Sequence, residues 1–148
     1  MTAKEYLEQA SHLDQRINNK LEILSSLREM ATKTTSVMDG ETVSHTRNVH
    51  SLQDVIVKIV DMQNEINRDI DRLVDLKKEV TDVLRQGKNP ASQAVLEYRY
   101  LCYRTWEEIA DTMGLHIRSV YKIHGRGLQE VDFILQKGNF SEKFQKGQ

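Results

Sequence analysis

The chain has little of what defines several common protein classes. Its 148 residues include one proline, one cysteine and only 6% aromatic residues. A lone cysteine excludes an intrachain disulfide framework and any zinc finger that needs paired thiolates. A single proline leaves long helices uninterrupted. Together with its charged, heptad-like patterning, this composition predicts a helical protein.

Long apolar stretches are also missing. No uncharged apolar run approaches the roughly 20 residues that cross a bilayer, and the polar start Met-Thr-Ala-Lys-Glu-Tyr lacks the apolar region of a signal peptide. We therefore expect a cytoplasmic protein without a membrane partner. His116 and His124 are eight positions apart, about 12 Å along a helix, and Cys102 has no obvious matched base. We expect no enzymatic activity, no cofactor and no metal.

Two long segments carry the spacing of helices. The first, about Ala3 to Ala31, has a 3,4 alternation of apolar residues that Lys20 interrupts. The second, about Asn48 to Gln86, predicts a coiled-coil seam, and its charges, Asp69 included, suggest a solvated face. The polar connection Thr32 to Arg47 has no apolar period. The simplest prediction is a long antiparallel helical hairpin, with pairing within or between chains left open. The seam residues recur every seven positions: Leu52, Ile59, Ile66, Leu73 and Val80.

The run Gly87-Lys88-Asn89-Pro90 predicts the end of the second helix, with glycine in the left-handed conformation and proline opening the next helix. We place a boundary here. The predicted organisation is a helical hairpin over 1–88 for dimerisation or partner binding, a DNA-binding domain over 89–137, and a loose tail over 138–148. In the second domain, a helix from Ala91 to Cys102 covers a small core, which consists of Val95, Leu96, Leu101, Trp106, Ile109, Met113, Leu115, Leu128 and Val131.

Residues 105 to 124 have the spacing of a helix-turn-helix. Thr105 and Glu108 form a capping-box pattern, and Ala110 is small where two helices approach each other. Gly114, four positions later, tolerates the positive φ of a tight turn. Val120 and Ile123 supply inward anchors on the second helix. A plain αα-hairpin in some helical core is the alternative interpretation, but the joint spacing favours a helix-turn-helix.

The outer side of the second helix is basic. No acidic residue occurs between Asp111 and Glu130, although the whole chain has a net charge of −1. We expect this helix to enter the major groove of double-stranded DNA from about His116, which caps the helix or contacts the DNA backbone. Gly125 and Gly127 predict either a bend or a close approach to DNA or to another helix. The predicted contacts are Arg118 and Lys122 to base edges, Tyr121 and Ile117 by mixed or apolar contact, and Arg104 and Arg126 to DNA phosphates. Thr105 is a further predicted DNA-binding residue.

The segment Leu96-Glu97-Tyr98-Arg99-Tyr100-Leu101, followed by Thr105-Trp106-Glu107-Glu108-Ile109-Ala110, resembles the DNA-binding region 4 of bacterial sigma factors up to about Val131. The resemblance implies an all-α head that reads a promoter element. Ile117 departs from it, because sigma factors often carry arginine there and an isoleucine cannot read guanine. The full layout resembles small prophage proteins of Gram-positive bacteria, similar to phage transcriptional regulators of the RinA and ArpU type. This resemblance implies a nucleoid-associated protein of a bacterial host.

The leading expectation is a sequence-specific regulator that dimerises through its long helices, with RNA polymerase as a candidate second partner. Two alternatives stay open. A small terminase-like DNA-packaging subunit would also join a helix-turn-helix to an oligomerising helical region. A coiled-coil adaptor would use its head to bind RNA polymerase and no DNA.

Overall fold

The computed structural model describes residues 1–38 and 45–138, with side chains over 1–35 and 51–138. Every regular element in these ranges is a helix, which confirms the all-α prediction. No helix among these residues is long and apolar enough to cross a membrane. The elements are α1 (Ala3–Met38), α2 (His45–Arg85), α3 (Pro90–Leu96), a π-helical segment (Glu97–Leu101), α4 (Trp106–Met113) and α5 (Ile117–Gly138).

A reciprocal capping box starts α1. The Thr2 amide donates to Glu5 Oε2 over 3.1 Å, and the Glu5 amide donates to Thr2 Oγ1 over 3.2 Å. Each side chain therefore satisfies a backbone donor that the first turn leaves free. The Ala3 amide donates to Asp132 Oδ1 of α5 over 2.6 Å, so the start of α1 is also held from outside.

The predicted polar connection from Thr32 to Arg47 is wrong at both ends, since α1 continues to Met38 and α2 begins at His45. The longer α1 accommodates its threonine hydroxyls within the helix. Thr32, Thr34 and Thr35 each donate to the carbonyl four residues earlier, over 2.8–3.0 Å. These bonds satisfy the hydroxyls inside the helix. The dipeptide Asp39-Gly40 lies outside the described residues.

The chain divides into two compact units, Met1–Leu13 with the chain from Leu73 onward, and Asp14–Arg72. The first unit has a core shared by the beginning of α1, the end of α2, α3, the π-helical segment and α5. The compact units therefore do not divide at the predicted boundary of 88 and 89. Apolar residues from both long helices complete this core: Ala3, Tyr6, Leu7, Ala10, Leu76, Val80, Val83, Leu84, Leu96, Tyr100, Val131 and Ile134.

The end of α2 differs from its predicted geometry. Gly87 does not have a positive φ, whereas Gly114 does. The helix closes with shorter-range bonds instead, from the Gln86 amide to Val83 O and from the Gly87 amide to Leu84 O, both over 3.1 Å. Asn89 then caps α3, because its Oδ1 accepts from the amide of Ala91 over 3.0 Å. Pro90 stands at the first helical position, as predicted.

The second unit contains a buried ion pair between the two long helices. Lys20 Nζ lies 2.6 Å from Asp69 Oδ2 and 3.5 Å from Glu65 Oε2, while Arg16 Nε lies 3.6 Å from Asp69. These contacts run in antiparallel order. Asp69 is only 3% exposed, so its assignment to a solvated face was wrong. The apparent interruption of the α1 stripe by Lys20 is one half of this pair.

We predict that Lys20→Ala lowers the free energy of unfolding by about 3 kcal/mol, because it leaves the buried Asp69 carboxylate with only the more exposed Arg16 as a cationic partner. Urea denaturation followed by circular dichroism measures the change. Lys58→Ala is the matched control, since Lys58 is exposed on α2, and it should change stability by less than about 0.5 kcal/mol. Equal effects of the two variants would show that the ion pair contributes nothing specific.

Candidate nucleic-acid interface

The turn between α4 and α5 has three residues and a left-handed glycine. Gly114 has φ 65° and ψ 35°, a conformation that costs little only without a Cβ. Its amide donates to Asp111 O over 3.3 Å, and the Leu115 amide donates to Ala110 O over 3.0 Å. This bond pattern is a Schellman motif. It ends α4 at Met113 and lets α5 begin at Ile117.

Side chains cap the first turns of both helices. Thr105 Oγ1 accepts from the Glu108 amide over 3.2 Å at the start of α4. His116 Nδ1 accepts from the Arg118 amide over 3.1 Å at the start of α5. Of the two roles predicted for His116, the structure therefore shows the helix cap. An accepting Nδ1 requires an imidazole with no proton on that nitrogen.

A small apolar cluster holds α4 and α5 together. Ala110 and Val120 are buried in it, as the predicted spacing requires, and Ile123 packs against it. Leu115 is 37% exposed, so its predicted place in the core was wrong. Leu96, Leu101, Leu128 and Val131 belong instead to the core shared with the long helices. The cluster consists of Val95, Ile109, Ala110 and Val120, with Tyr98, Trp106, Met113, Ile117 and Ile123 against it.

Ile117 departs from its predicted position. It is half-buried and packs against the cluster around Val120, so its side chain is not a free outward contact. At the first turn of α5 the helix is still close to α4, and the position three residues before Val120 shares its inner side. We therefore withdraw Ile117 as a primary base contact.

Three exposed cations form a row along the outer side of α5. Arg118, Lys122 and Arg126 are all exposed and follow one another every four residues, about 6 Å per step. None of the three takes part in an ion pair within residues 1–35 and 51–138. Tyr121 stands beside the row with 47% of its surface exposed, and its ring meets Trp106 edge to face at 5.3 Å. This row is the candidate interface, which we call the basic row.

Trp106 of α4 packs against the rings of Tyr121 and His124 on α5, the helix that carries the basic row. Its ring contacts the His124 ring at 4.6 Å, edge to face, and the Arg99 guanidinium lies 4.4 Å from its centre. The Arg99–Trp106 contact was missed from the sequence. The contact forms across the turn at Tyr103. The φ of Tyr103 is 57°, and no pattern in the sequence indicates this value. Tyr103 Oη donates to Ala10 O over 3.3 Å, which helps to hold this uncommon backbone conformation.

Arg104 is less free than the basic row. Its guanidinium lies 4.7 Å from the centre of the Tyr98 ring and donates to Thr112 Oγ1 over 3.2 Å. Glu107 and Glu108 stand in the adjacent first turn of α4 and make that end acidic. The structure therefore brings Arg118, Tyr121, Lys122 and Arg126 together on one helix, while Arg104 and Thr105 lie at the start of another. Among the described residues, no three His, Cys, Asp or Glu side chains form a group that could hold a metal ion.

The two interior glycines of α5, Gly125 and Gly127, have different surroundings. The helix runs through both of them without a break. A Cβ on Gly127 would lie 3.0 Å from Leu96 Cδ1 and 3.3 Å from Ser92 Cβ, so Gly127 permits a close approach of α3. A Cβ on Gly125 would meet nothing within 4 Å, and this residue is exposed on the side of the basic row. Of the two predicted explanations, a bend or a close approach, the structure supports a close approach to another helix at Gly127.

The described residues are thus all-helical, and the basic row lies on α5, which is joined to α4 by the turn at Gly114. The family whose model matches residues 34–132 is described as a protein of unknown function (DUF1492), and the chain belongs to this family. The match extends from α1 into α5 and includes the whole basic row. No curated protein and no solved structure matches the chain.

We predict opposite stability effects at the two glycines. Gly125→Ala should stabilise the protein by about 0.5–1 kcal/mol, because alanine favours a helix and meets open space here. Gly127→Ala should destabilise it by about 1 kcal/mol net, since the buried Leu96 must move. Thermal unfolding of both variants checks this order. A stabilised Gly127→Ala would contradict the tight contact.

His124 adds a pH dependence. Burial, together with Arg99 and Lys4, lowers its pKa from 6.5 to about 4, and its Nε2 lies 2.8 Å from Tyr100 Oη. His124 therefore becomes protonated near pH 6.5 in the unfolded chain but only near pH 4 in the folded chain. Stability must fall as the pH drops through that window.

We expect this imidazole to contribute a loss of up to about 3 kcal/mol between pH 7 and pH 4. His124→Gln, which has no such proton, should flatten the pH dependence of unfolding in urea by that amount. His12→Gln is the control, because His12 is exposed on α1. If His124→Gln and His12→Gln keep the same pH slope as the parent, His124 is not buried in its neutral form.

Proposed function

We propose that this protein is a sequence-specific double-stranded DNA-binding transcriptional regulator of phage or prophage type. The observation that carries the proposal is the basic row: three exposed cations, without an ion-pair partner among the described side chains, on one continuous helix that follows a tight glycine turn. A major groove about 12 Å wide admits such a helix, and its base edges accept hydrogen bonds from arginine and lysine.

Local charge supports this proposal more strongly than net charge does. The chain has a net charge of −1, yet Arg118, Lys122 and Arg126 are exposed on one side of α5, and no acidic residue occurs between Asp111 and Glu130. Phosphate neutralisation supplies much of the affinity of DNA-binding proteins, and it depends on the local surface. The acidic residues that follow on α5 are engaged elsewhere, since Glu130 accepts from the Lys88 amide and Asp132 from the Ala3 amide.

The roles within the proposed helix-turn-helix follow from position. Arg118 and Lys122, in the first turns of α5, read base edges, and Tyr121 contributes a ring braced by Trp106. Arg126 lies one turn further and meets phosphate. His116 positions Arg118 by capping the helix. Arg104 and Thr105 remain phosphate contacts of lower weight, because Arg104 is held by Tyr98 and Thr112.

The long helices serve association in this proposal. A sigma factor needs an aromatic and basic helix to melt promoters, but Tyr6 is the only aromatic residue in positions 1–90. Tyr6 is also completely buried. We therefore propose a regulator that binds DNA as a homodimer through its long helices, with RNA polymerase as a second partner, and that does not initiate transcription alone.

Exposed apolar residues on α2, such as Ile56 and Val74, favour one other candidate. A small terminase-like subunit would use such a surface to build a ring. Light scattering distinguishes the two, because a ring of many subunits indicates packaging and a dimer indicates regulation. An adaptor that binds RNA polymerase instead would select no DNA site at all.

Binding-site selection from random duplex DNA should return a defined site, for which we predict that Arg118→Ala loses about 1–3 kcal/mol of affinity and relaxes the preference at one base pair. Arg126→Ala should instead weaken all sequences similarly and lower the salt slope by about one, as a phosphate contact does. Arg85→Ala, an exposed change on α2, is the control and should leave binding unaltered. Tight, specific binding by Arg118→Ala would refute the proposed docking.

A further inference from the structure

A second apolar stripe runs along α2 on its exposed side. Ile56, Val60, Ile70 and Val74 are 47%, 48%, 41% and 60% exposed, high values for residues of this kind. Gln63 and Asn67 complete the series, so consecutive members are four, three, four, three and four residues apart. That alternation keeps all six positions on one side of a helix. We call this set the outer stripe.

We propose that the outer stripe binds the same stripe of a second copy of this chain, with the two α2 helices antiparallel and centred on Glu65. In this register Ile56 faces Val74 of the second copy, Val60 faces Ile70, and Gln63 faces Asn67. Each apolar residue therefore meets an apolar residue, and each amide meets an amide. A two-fold interface requires such a self-complementary surface.

The two amides explain why the register is specific. A buried amide without a hydrogen-bond partner is costly, and a polar residue in a coiled-coil seam fixes the register for that reason. Gln63 is half-buried and Asn67 is exposed in the single chain. In the proposed pairing each side chain can donate to and accept from the other, twice by symmetry.

Charges beside the outer stripe favour the antiparallel direction. Asp61 and Arg68 are exposed, and each follows a stripe residue, so both lie on one flank of α2, about 100° around the helix from the stripe. The antiparallel register places this flank of both copies on the same side, with Asp61 of one copy at nearly the same height as Arg68 of the other, twice. A parallel, in-register pair would place the two flanks on opposite sides of the pair, so these charges could not approach each other. Asp54 and Asp75 approach each other only at the ends of the antiparallel stripe, where solvent screens them.

This inference deepens the proposed function: it rests on the proposed homodimerisation through the long helices and does not depend on DNA binding. Sedimentation equilibrium of the full chain should show a dimer, and Ile70→Glu should raise its dissociation constant at least about a hundredfold, because symmetry places two charges in one apolar seam. Ile23→Glu is the matched control, since Ile23 is 48% exposed on α1. Circular dichroism should report equal helix content for both variants, because neither position is buried.

The direction of pairing has its own test. In a Cys102→Ser background, which removes the exposed native thiol, Gln63→Cys and Asn67→Cys are made separately and oxidised alone or mixed. The antiparallel register predicts disulfide-linked dimers in the mixture and few in either variant alone. Cross-linking of Asn67→Cys by itself would overturn it in favour of a parallel pair. A monomeric parent, a ring, or dissociation by Ile23→Glu with Ile70→Glu still dimeric would overturn the interface.

Discussion

The close packing of α3 on α5 at Gly127 is the contact on which the first unit depends. Leu96 and Ser92 of α3 approach this glycine so closely that a Cβ would meet them at 3.0–3.3 Å. Val95 of the same short helix packs with Val120, while Leu96 packs with Val131. Because α5 is continuous, α3 fixes it in both apolar clusters at once. The basic row is therefore presented by a helix that cannot bend away freely, which suits a surface that must match a fixed partner.

The sequence was sufficient for the features that arise from local physics. Ala110 and Val120 are buried and Gly114 is left-handed, as their spacing predicted, because a tight turn between two helices constrains each of them locally. Features that depend on distant residues were not predictable in the same way. Asp69 seemed solvated because its partner Lys20 is 49 positions away. The role of Gly127 depends on its contact with Leu96 of α3, and Ile117 is half-buried because it packs against the cluster that contains Ile109 of α4.

Positive and negative residues lie in different parts of α5: Arg118, Lys122 and Arg126 come before Glu130 and Asp132. The charged residues of its first turns, Arg118 and Lys122, are both cations and both exposed. Further along α5, Glu130 and Asp132 accept hydrogen bonds from the backbone amides of Lys88 and Ala3. Carboxylates that accept from amides stabilise chain ends that would otherwise be unsatisfied. Because they lie away from Arg118 and Lys122, they form no ion pair with the basic row among the described side chains. Net charge conceals this arrangement, since it counts both groups equally.

Helix α2 interrupts its apolar pattern with polar residues on two different sides. On the side toward α1, Asp69 is buried and satisfied within the chain by Lys20. On the outer stripe, the polar residues Gln63 and Asn67 stand between Val60 and Ile70. Both of these apolar residues are exposed in the single chain. A polar residue among apolar ones weakens a seam and selects one register among several. Lys20 and Asp69 restrict how α1 meets α2, and Gln63 and Asn67 would in the same way select, for the proposed dimer, a partner that presents amides at matching positions. The α2 helix of a second copy, in the proposed antiparallel direction, would present its own Gln63 and Asn67 at these positions.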